Sequence, residues 1–197
     1  MGARLATSAD AEVVIETITL AFDRDPVWSW AFPDPGRRAV QYRVWWGMIV
    51  NASIAQEATW VDVGTVAVWV PPGGREISES DELTMAPLLR EWHGDAQAEL
   101  VLELLDRFEA HHPDAPFHYL SLLATHPDHR GRGAGVRLLA ECLERIDALG
   151  EPALLESSNP ANHERYARLG FEHVDEFHAP DGGPPVAVMW RKPVPAG

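Results

Sequence analysis

The pattern of apolar and polar positions divides the chain into alternating helical and extended stretches, without an internal repeat or a low-complexity linker. Arg4-Leu5-Ala6 reads as a short strand. Thr7 or Ser8 then caps a helix whose stripe is Val13, Val14, Ile18 and Ala21-Phe22, and Asp25-Pro26 ends it. A tryptophan-rich stretch follows with Trp28, Trp30 and Phe32. After the turn Pro33-Asp34-Pro35-Gly36, a second helix carries Tyr42, Trp45, Trp46 and Ile49. Thr59 to Val63 and Thr65 to Val70 predict a hairpin around Gly64, stopped by Pro71-Pro72-Gly73-Gly74. Residues 75–114 are helical in two pieces broken near Gly94. Tyr119 to Ala124, apolar but for Ser121, is bounded by Pro116 and His126-Pro127-Asp128, as a buried strand is. Val136, Leu139, Leu143 and Ile146 then recur at helical spacing, with Ala140, Cys142 and Leu149 widening the stripe. Pro152 to Glu156 is a fifth strand, and a helix from about Ala161 to Leu169 is closed by Gly170. Phe171 to Phe177 pairs with Val186 to Trp190 across Asp181-Gly182-Gly183. The order predicts a mixed α/β (α+β) fold with a largely antiparallel sheet, in a single domain over residues 1–197.

Composition narrows the partners. A chain of 197 residues with 46% hydrophobic content can bury a real core. Its net charge of −14 argues against nucleic acid and against an anionic membrane surface, and favours a cationic substrate such as an amine. No apolar run is long enough to span a membrane, and Met1-Gly2-Ala3-Arg4 does not open a signal peptide. The single cysteine, Cys142, lies on an apolar helix face and fits a reducing, cytoplasmic setting. Arginine far exceeds lysine, which points to a GC-rich bacterial genome. The stretch 75–114 holds 11 acids against 3 bases, either as a solvated face or as an acidic lip over a site; the solvated face is favoured.

The chemistry starts at Arg130-Gly131-Arg132-Gly133-Ala134-Gly135, between a buried strand and an amphipathic helix. Unpaired N–H groups and the positive dipole end of a helix attract an anion, and glycines let backbone approach it. A P-loop reading fails because the only lysine is Lys192, and the spacing Gly131-x-Gly133-x-Gly135 is wrong for a dinucleotide fingerprint. His126, His129, His111 and His112 show no zinc-site spacing and read as exposed loop histidines, so no metal is expected. The aromatic segment Phe22, Asp25, Trp28 and Trp30 reads either as core and dimer surface or as a box for an amine with an apolar body.

The block Leu123-Ala124-Thr125-His126-Pro127-Asp128-His129-Arg130-Gly131-Arg132-Gly133-Ala134-Gly135 resembles the signature of GNAT-superfamily N-acetyltransferases. So do Leu155-Glu156-Ser157-Ser158-Asn159-Pro160-Ala161-Asn162 and Tyr166-Ala167-Arg168-Leu169-Gly170-Phe171. Within the superfamily the chain is most similar to the puromycin N-acetyltransferase type, in length, in the strand ending before Pro71 and in Leu-Glu-Ser-Ser-Asn-Pro. The resemblance implies a sheet of about six to seven strands with the fourth and fifth splayed, acetyl-CoA as donor, and homodimers as a common state. It implies that amides from Gly131 to Val136, with Arg130 and Arg132, hold the pyrophosphate. Leu123, Ala124 and Thr125 would pair with the pantetheine arm, as an added strand does.

By the same resemblance, Tyr166 protonates the leaving thiolate and Glu156 is the first choice for the base, although a length difference before Asn159 leaves it open to an edge-strand role. Asn159 and Asn162 either bond the pantetheine arm or cap a helix. In this fold the segment after the first helix lines the acceptor pocket, which would place Phe22, Asp25, Trp28 and Trp30 there unless they serve as core and dimer surface. The expected activity is acetyl transfer to a primary amine of a small molecule in a ternary complex. A protein or peptide acetyltransferase and a non-catalytic acyl-CoA sensor are the alternatives.

Overall fold

The computed structural model describes residues 2–194. In chain order the elements are β1 (Arg4–Leu5), α1 (Ala11–Phe22), α2 (Pro26–Ala31), α3 (Arg38–Ala55), β2 (Thr59–Asp62) and β3 (Thr65–Val70). Next come α4 (Glu79–His93), α5 (Asp95–Ala110), β4 (His118–Thr125), α6 (Ala134–Leu149), β5 (Ala153–Ser157), α7 (His163–Ala167), β6 (Glu172–His178) and β7 (Pro185–Arg191). The seven strands form one sheet in the order β1-β2-β3-β4-β5-β7-β6, and every pair is antiparallel except β4 with β5. Mixed α/β architecture with a mostly antiparallel sheet is therefore the observed fold.

The central strands are buried on both faces, and strand periodicity sorts their residues. In β3, Val66 and Val68 face a core shared with α1, α2, α3, α4 and α5, while Ala67 and Trp69 face α6. That is why all six residues of β3 are buried and the strand reads as an unbroken apolar run. On the other face α6 contributes Leu138, Leu139, Cys142, Leu143 and Ile146, so the cysteine is a core residue. Burial pushes its thiol up to about 12.

Three local readings need correction. In α1 the buried stripe is Val14, Ile15 and Ile18, which leaves Val13 68% exposed on the water side. Leu149, assigned to the apolar stripe of α6, is 65% exposed because the helix ends there at Gly150. Asp25-Pro26 does end α1, but it also starts α2. The Asp25 carboxylate accepts from the N–H groups of Val27 and Trp28 at 3.1 Å, and Pro26 sits at the first helical position, where no N–H is needed.

Two features place the site. The β4–β5 pairing holds only at His118 with Ala153 and Tyr119 with Leu154, and beyond it the strands part. Across the other edge of β4, Val68 pairs with Leu122 but Trp69 pairs with Leu120, so Ser121 is the extra residue of a β-bulge. The bulge lies where the strands separate, and the gap it borders opens into a large cavity.

Candidate active site

The glycine loop sits at the start of α6 with the geometry of an anion cradle. Gly131 and Gly133 adopt φ of +79° and +69°, left-handed values that a side chain disfavours. The helical ladder starts only with the Arg137 N–H, which donates to the Gly133 carbonyl at 3.0 Å. Among the described residues, no protein group accepts from the N–H groups of Gly131 to Val136, and they gather at the positive end of a 16-residue helix. Gly135 packs against β4: a Cβ there would come within 3.1 Å of Thr125 Oγ1. Arg130 reaches back to α1, donating to the Ala21 carbonyl at 3.1 Å, so it ties the loop to the first helix. Arg132 stays outside the cavity, and its carbonyl accepts from the Arg137 guanidinium at 2.7 Å.

From this loop a cavity of about 1340 Å³ runs through the gap between β4 and β5 to the ends of the α4–α5 hairpin. A site for one small ligand measures roughly 300–1000 Å³, so this cavity has room for a coenzyme arm and an acceptor together. Leu123 and Thr125 line it; the Ala124 side chain turns into the core, which leaves only its backbone for a partner strand. Beyond Tyr119, β4 has no β5 neighbour, and that free edge fits an extended amide-bearing arm. Free helix-end N–H groups, left-handed glycines and an unpaired strand edge together fit the diphosphate and pantetheine of acetyl-CoA. Among the described residues, no three His, Cys, Asp or Glu side chains converge as metal ligands.

Glu156 lies on β5 past the point of separation. Its side chain is fully buried, and neither carboxylate oxygen has a hydrogen-bond partner, although the group borders the cavity. His112 Nε2 approaches one oxygen at 3.0 Å but is not aligned for a hydrogen bond, so the contact is one of charge. Burial opposes protonation of His112. The adjacent Glu156, with Glu76 and Glu109, outweighs it and raises the imidazole above its ordinary value.

Tyr166, on α7, borders the same cavity and packs edge-on against Phe171 at 6.2 Å. Burial, helped by Asp25, pushes its phenol up to about 12, so it holds its proton at neutral pH.

Asn159 and Asn162 both border the cavity. Asn159 caps the turn after β5, accepting from the Ala161 N–H at 3.0 Å, and Asn162 accepts from Arg165 at 2.7 Å. Phe22, Asp25 and Trp28 line the cavity, but Trp30 does not: its ring lies against Gly183, away from the opening. Its place in the acceptor box is therefore withdrawn. Asp25 is committed to the α2 cap and to the Ser158 hydroxyl, which donates at 2.6 Å. Burial raises its carboxyl despite these donors.

The sequence reading missed three cavity residues. His112, read as an exposed loop histidine, is half-buried against Glu156. Glu76 reaches the bulge, where it accepts a hydrogen bond from the Ser121 hydroxyl. Burial raises its carboxyl, with Glu156 adding to the effect. Tyr119 lies 4.8 Å from His112 with the ring planes tilted by 58°, and its phenol is raised well above its ordinary value by burial and by Glu156 and Glu76. Glu76 and His112 flank the acidic hairpin. Nine of the 11 acids in 75–114 are exposed, so the hairpin is a solvated face that nonetheless brings these two residues to the site.

Comparison with known proteins agrees with this geometry. Residues 98–173 match the family model of the acetyltransferase (GNAT) domain. A Corynebacterium glutamicum protein named histone acetyltransferase HPA2 and related acetyltransferase is 25% identical, over 99% of this chain and 97% of its own, with a TM-score of 0.72. A Drosophila melanogaster polyamine N-acetyltransferase shares the fold at 15% identity, over 96% and 98% of the two chains, with a TM-score of 0.67. An arylalkylamine N-acetyltransferase 2 from Aedes aegypti does so at 13% identity, over 98% of each chain, with a TM-score of 0.64. Residues 98–173 thus match a GNAT acetyltransferase domain, and the solved structures share the fold over nearly the whole chain.

Proposed function

We propose that the protein acetylates a primary amine of a small molecule, with acetyl-CoA as donor, by direct attack in a ternary complex. The observation that carries this reading is Glu156. It is a fully buried carboxylate with two unpartnered oxygens, in a cavity continuous with the anion cradle of α6. Such a group needs donors, and an alkylammonium brings three of them with the compensating charge. The full burial of the Glu156 side chain favours a small amine over a peptide chain. Phe22, Trp28 and Phe108 offer an apolar wall for the body of that amine, with the last two rings stacked within 5° of parallel.

Acetyl-CoA supplies a thioester, whose carbonyl carbon bonds to the amine nitrogen as its carbon–sulfur bond breaks. Gly131 to Val136 hold the diphosphate through backbone N–H groups, and the open edge of β4 at Leu123 to Thr125 aligns the arm. Glu156 takes a proton from the ammonium and so exposes the nitrogen lone pair. Tyr166 delivers its phenolic proton to the leaving sulfur, and the second nitrogen proton restores the phenol. His112 faces one oxygen of Glu156 at 3.0 Å and holds the carboxylate in place.

The test is an amine panel monitored by free thiol release. It includes polyamines, agmatine and arylalkylamines, with aminoglycosides and with puromycin, to which the Leu155–Pro160 segment points. At least one amine is expected to turn over. Tyr166→Phe is expected to lower kcat by about 10²-fold without loss of acetyl-CoA binding. An unchanged kcat removes the acid role, and a panel with no acceptor removes acetyl transfer to small amines.

A further inference from the structure

We infer that Glu76 is a specificity-determining residue, which together with Glu156 seats the acceptor as an alkylammonium ion. This inference rests on the proposed function only for the identity of the reacting group. Glu76 stands just before α4 and His112 just after α5, so the two ends of one helical hairpin meet at the gap between β4 and β5.

The β4 bulge turns Ser121 toward Glu76, and the hydroxyl donates to one carboxylate oxygen. The other oxygen has no protein donor among the described residues. The same cavity is lined by Glu156, with two unpartnered oxygens, and by His112, with an unpartnered Nε2. Phe117, Tyr119 and Leu155 close the surroundings with apolar surface.

The charge count sets the ligand class. Glu76 and Glu156 bring two acidic side chains to the cavity wall against the one imidazole of His112. The field couples the three groups: Glu156 raises Glu76, and both carboxylates raise His112. A monocation suits this acidic excess, and a primary ammonium offers three N–H donors to acceptors that lack them. An aniline, neutral at physiological pH, supplies neither the charge nor the third donor. The acceptor class is therefore the strongly basic aliphatic primary amines, and their discrimination is assigned to Glu76. Glu156 removes the proton, whereas Glu76 holds the ammonium before that transfer.

The experiment reads binding and turnover separately. Calorimetry with 2-phenylethylamine and its neutral isostere 2-phenylethanol is performed on the protein saturated with CoA. The wild type is expected to prefer the ammonium by about 10-fold or more, as charged hydrogen bonds imply. Glu76→Gln is expected to bring the ratio close to one, with the alcohol's affinity, CoA binding and the melting temperature retained. In turnover of the best panel amine, the same variant is expected to raise KM by about 10-fold with kcat within roughly threefold. Ser121→Ala leaves the carboxylate in place but frees it, and a smaller loss of preference in the same direction is expected. This second variant keeps the test open should Glu76→Gln fold poorly. A Glu76→Gln protein that keeps the preference overturns the inference, as does a wild type without any preference. If the preference depends on Glu76 while no amine releases thiol, the ammonium seat stands and acetyl transfer falls. If Glu156→Gln loses turnover while Glu76→Gln changes nothing, the inference falls and acetyl transfer stands.

Discussion

On the proposed function, the coenzyme end and the acceptor end of the cavity are built from different material. At the coenzyme end the working groups belong to the backbone: free N–H groups of residues 131–136 and the unpaired edge of β4. They come from one continuous stretch, strand to loop to helix. At the acceptor end they are side chains drawn from distant segments, Asp25, Glu76, His112 and Glu156, brought together by the sheet and the hairpin. Backbone chemistry tolerates substitution as long as φ and ψ are met. Side-chain chemistry fails one residue at a time. Substitutions at the acceptor end should therefore lower turnover or acceptor affinity and spare coenzyme binding, while those at the loop should weaken the coenzyme gradually.

The largest effect is expected at Glu156. Glu156→Gln keeps the volume but cannot take the ammonium proton, and kcat is expected to fall by about 10²- to 10⁴-fold. Thiol-release kinetics measure that fall, and an acetyl-CoA titration of the same protein should be unchanged. Loss of both together would erase the distinction between the two ends.

Next in size is a pair that holds the frame of the coenzyme end from behind. Arg191 on β7, 6% exposed, forks onto Asp147 near the C-terminal end of α6 at 2.6 and 2.7 Å, and also donates to the Leu169 carbonyl at 2.8 Å. Arg191 holds the Asp147 carboxyl below its usual range. A carboxyl depressed on folding stabilises the protein above its unfolded value, about 3.9, and that contribution is lost as pH falls through the folded value. Asp147→Asn leaves a buried guanidinium half-paired. About 2–3 kcal/mol is expected in urea unfolding at pH 7, at the lower edge of buried-pair costs because Asp147 keeps some solvent contact. The difference from wild type should shrink below pH 4. Coenzyme affinity of the folded fraction should stay, since no cradle N–H is touched.

How much of each end was legible in the sequence follows from the same contrast. The cradle was legible because its signal is local: glycine spacing at 131, 133 and 135, between a strand-like and a helix-like run. Tyr166 and Glu156 were reached through a second contiguous block, and the structure brings both to the cavity. Glu76 and His112 were not legible. Nothing at positions 76 or 112 differs from a charged hairpin flank and a polar turn, and their role exists only once β4 bulges at Ser121 and parts from β5. Trp30 failed for the complementary reason. The sequence shows an aromatic cluster but not which way a ring turns, and α2, missed in the sequence, sends Trp28 to the cavity and Trp30 toward Gly183.

Asp25 belongs to the acceptor end yet spends its carboxylate on the fold. Asp25→Ala removes the cap of α2 and leaves the Ser158 hydroxyl without its acceptor. A loss of about 1–2 kcal/mol in thermal or urea unfolding is expected. Restoration by Asp25→Asn, which still caps, would mark the residue as structural at this end; continued loss of turnover in that variant would mark its charge as needed by Tyr166, which it borders electrostatically.

The smallest effect is expected at Gly131, and its size is the sharpest measure of a backbone-built end. Its φ is +79°, and a Cβ placed there meets no atom within 4 Å, so Gly131→Ala has no steric consequence in the protein itself. What remains is the cost of holding an L-residue in the left-handed region, about 1 kcal/mol. If the loop binds through its N–H groups in this conformation, that cost appears as roughly fivefold weaker acetyl-CoA binding by calorimetry, since 1.4 kcal/mol is tenfold. The melting temperature should move little, because the loop is exposed. Gly135→Ala is the control: its φ is ordinary, but its Cβ crowds Thr125 Oγ1 at 3.1 Å, so its effect reports packing of α6 on β4. A Gly131→Ala protein with unchanged affinity would mean that the loop binds in a different conformation, and the backbone account of the coenzyme end would be lost with it.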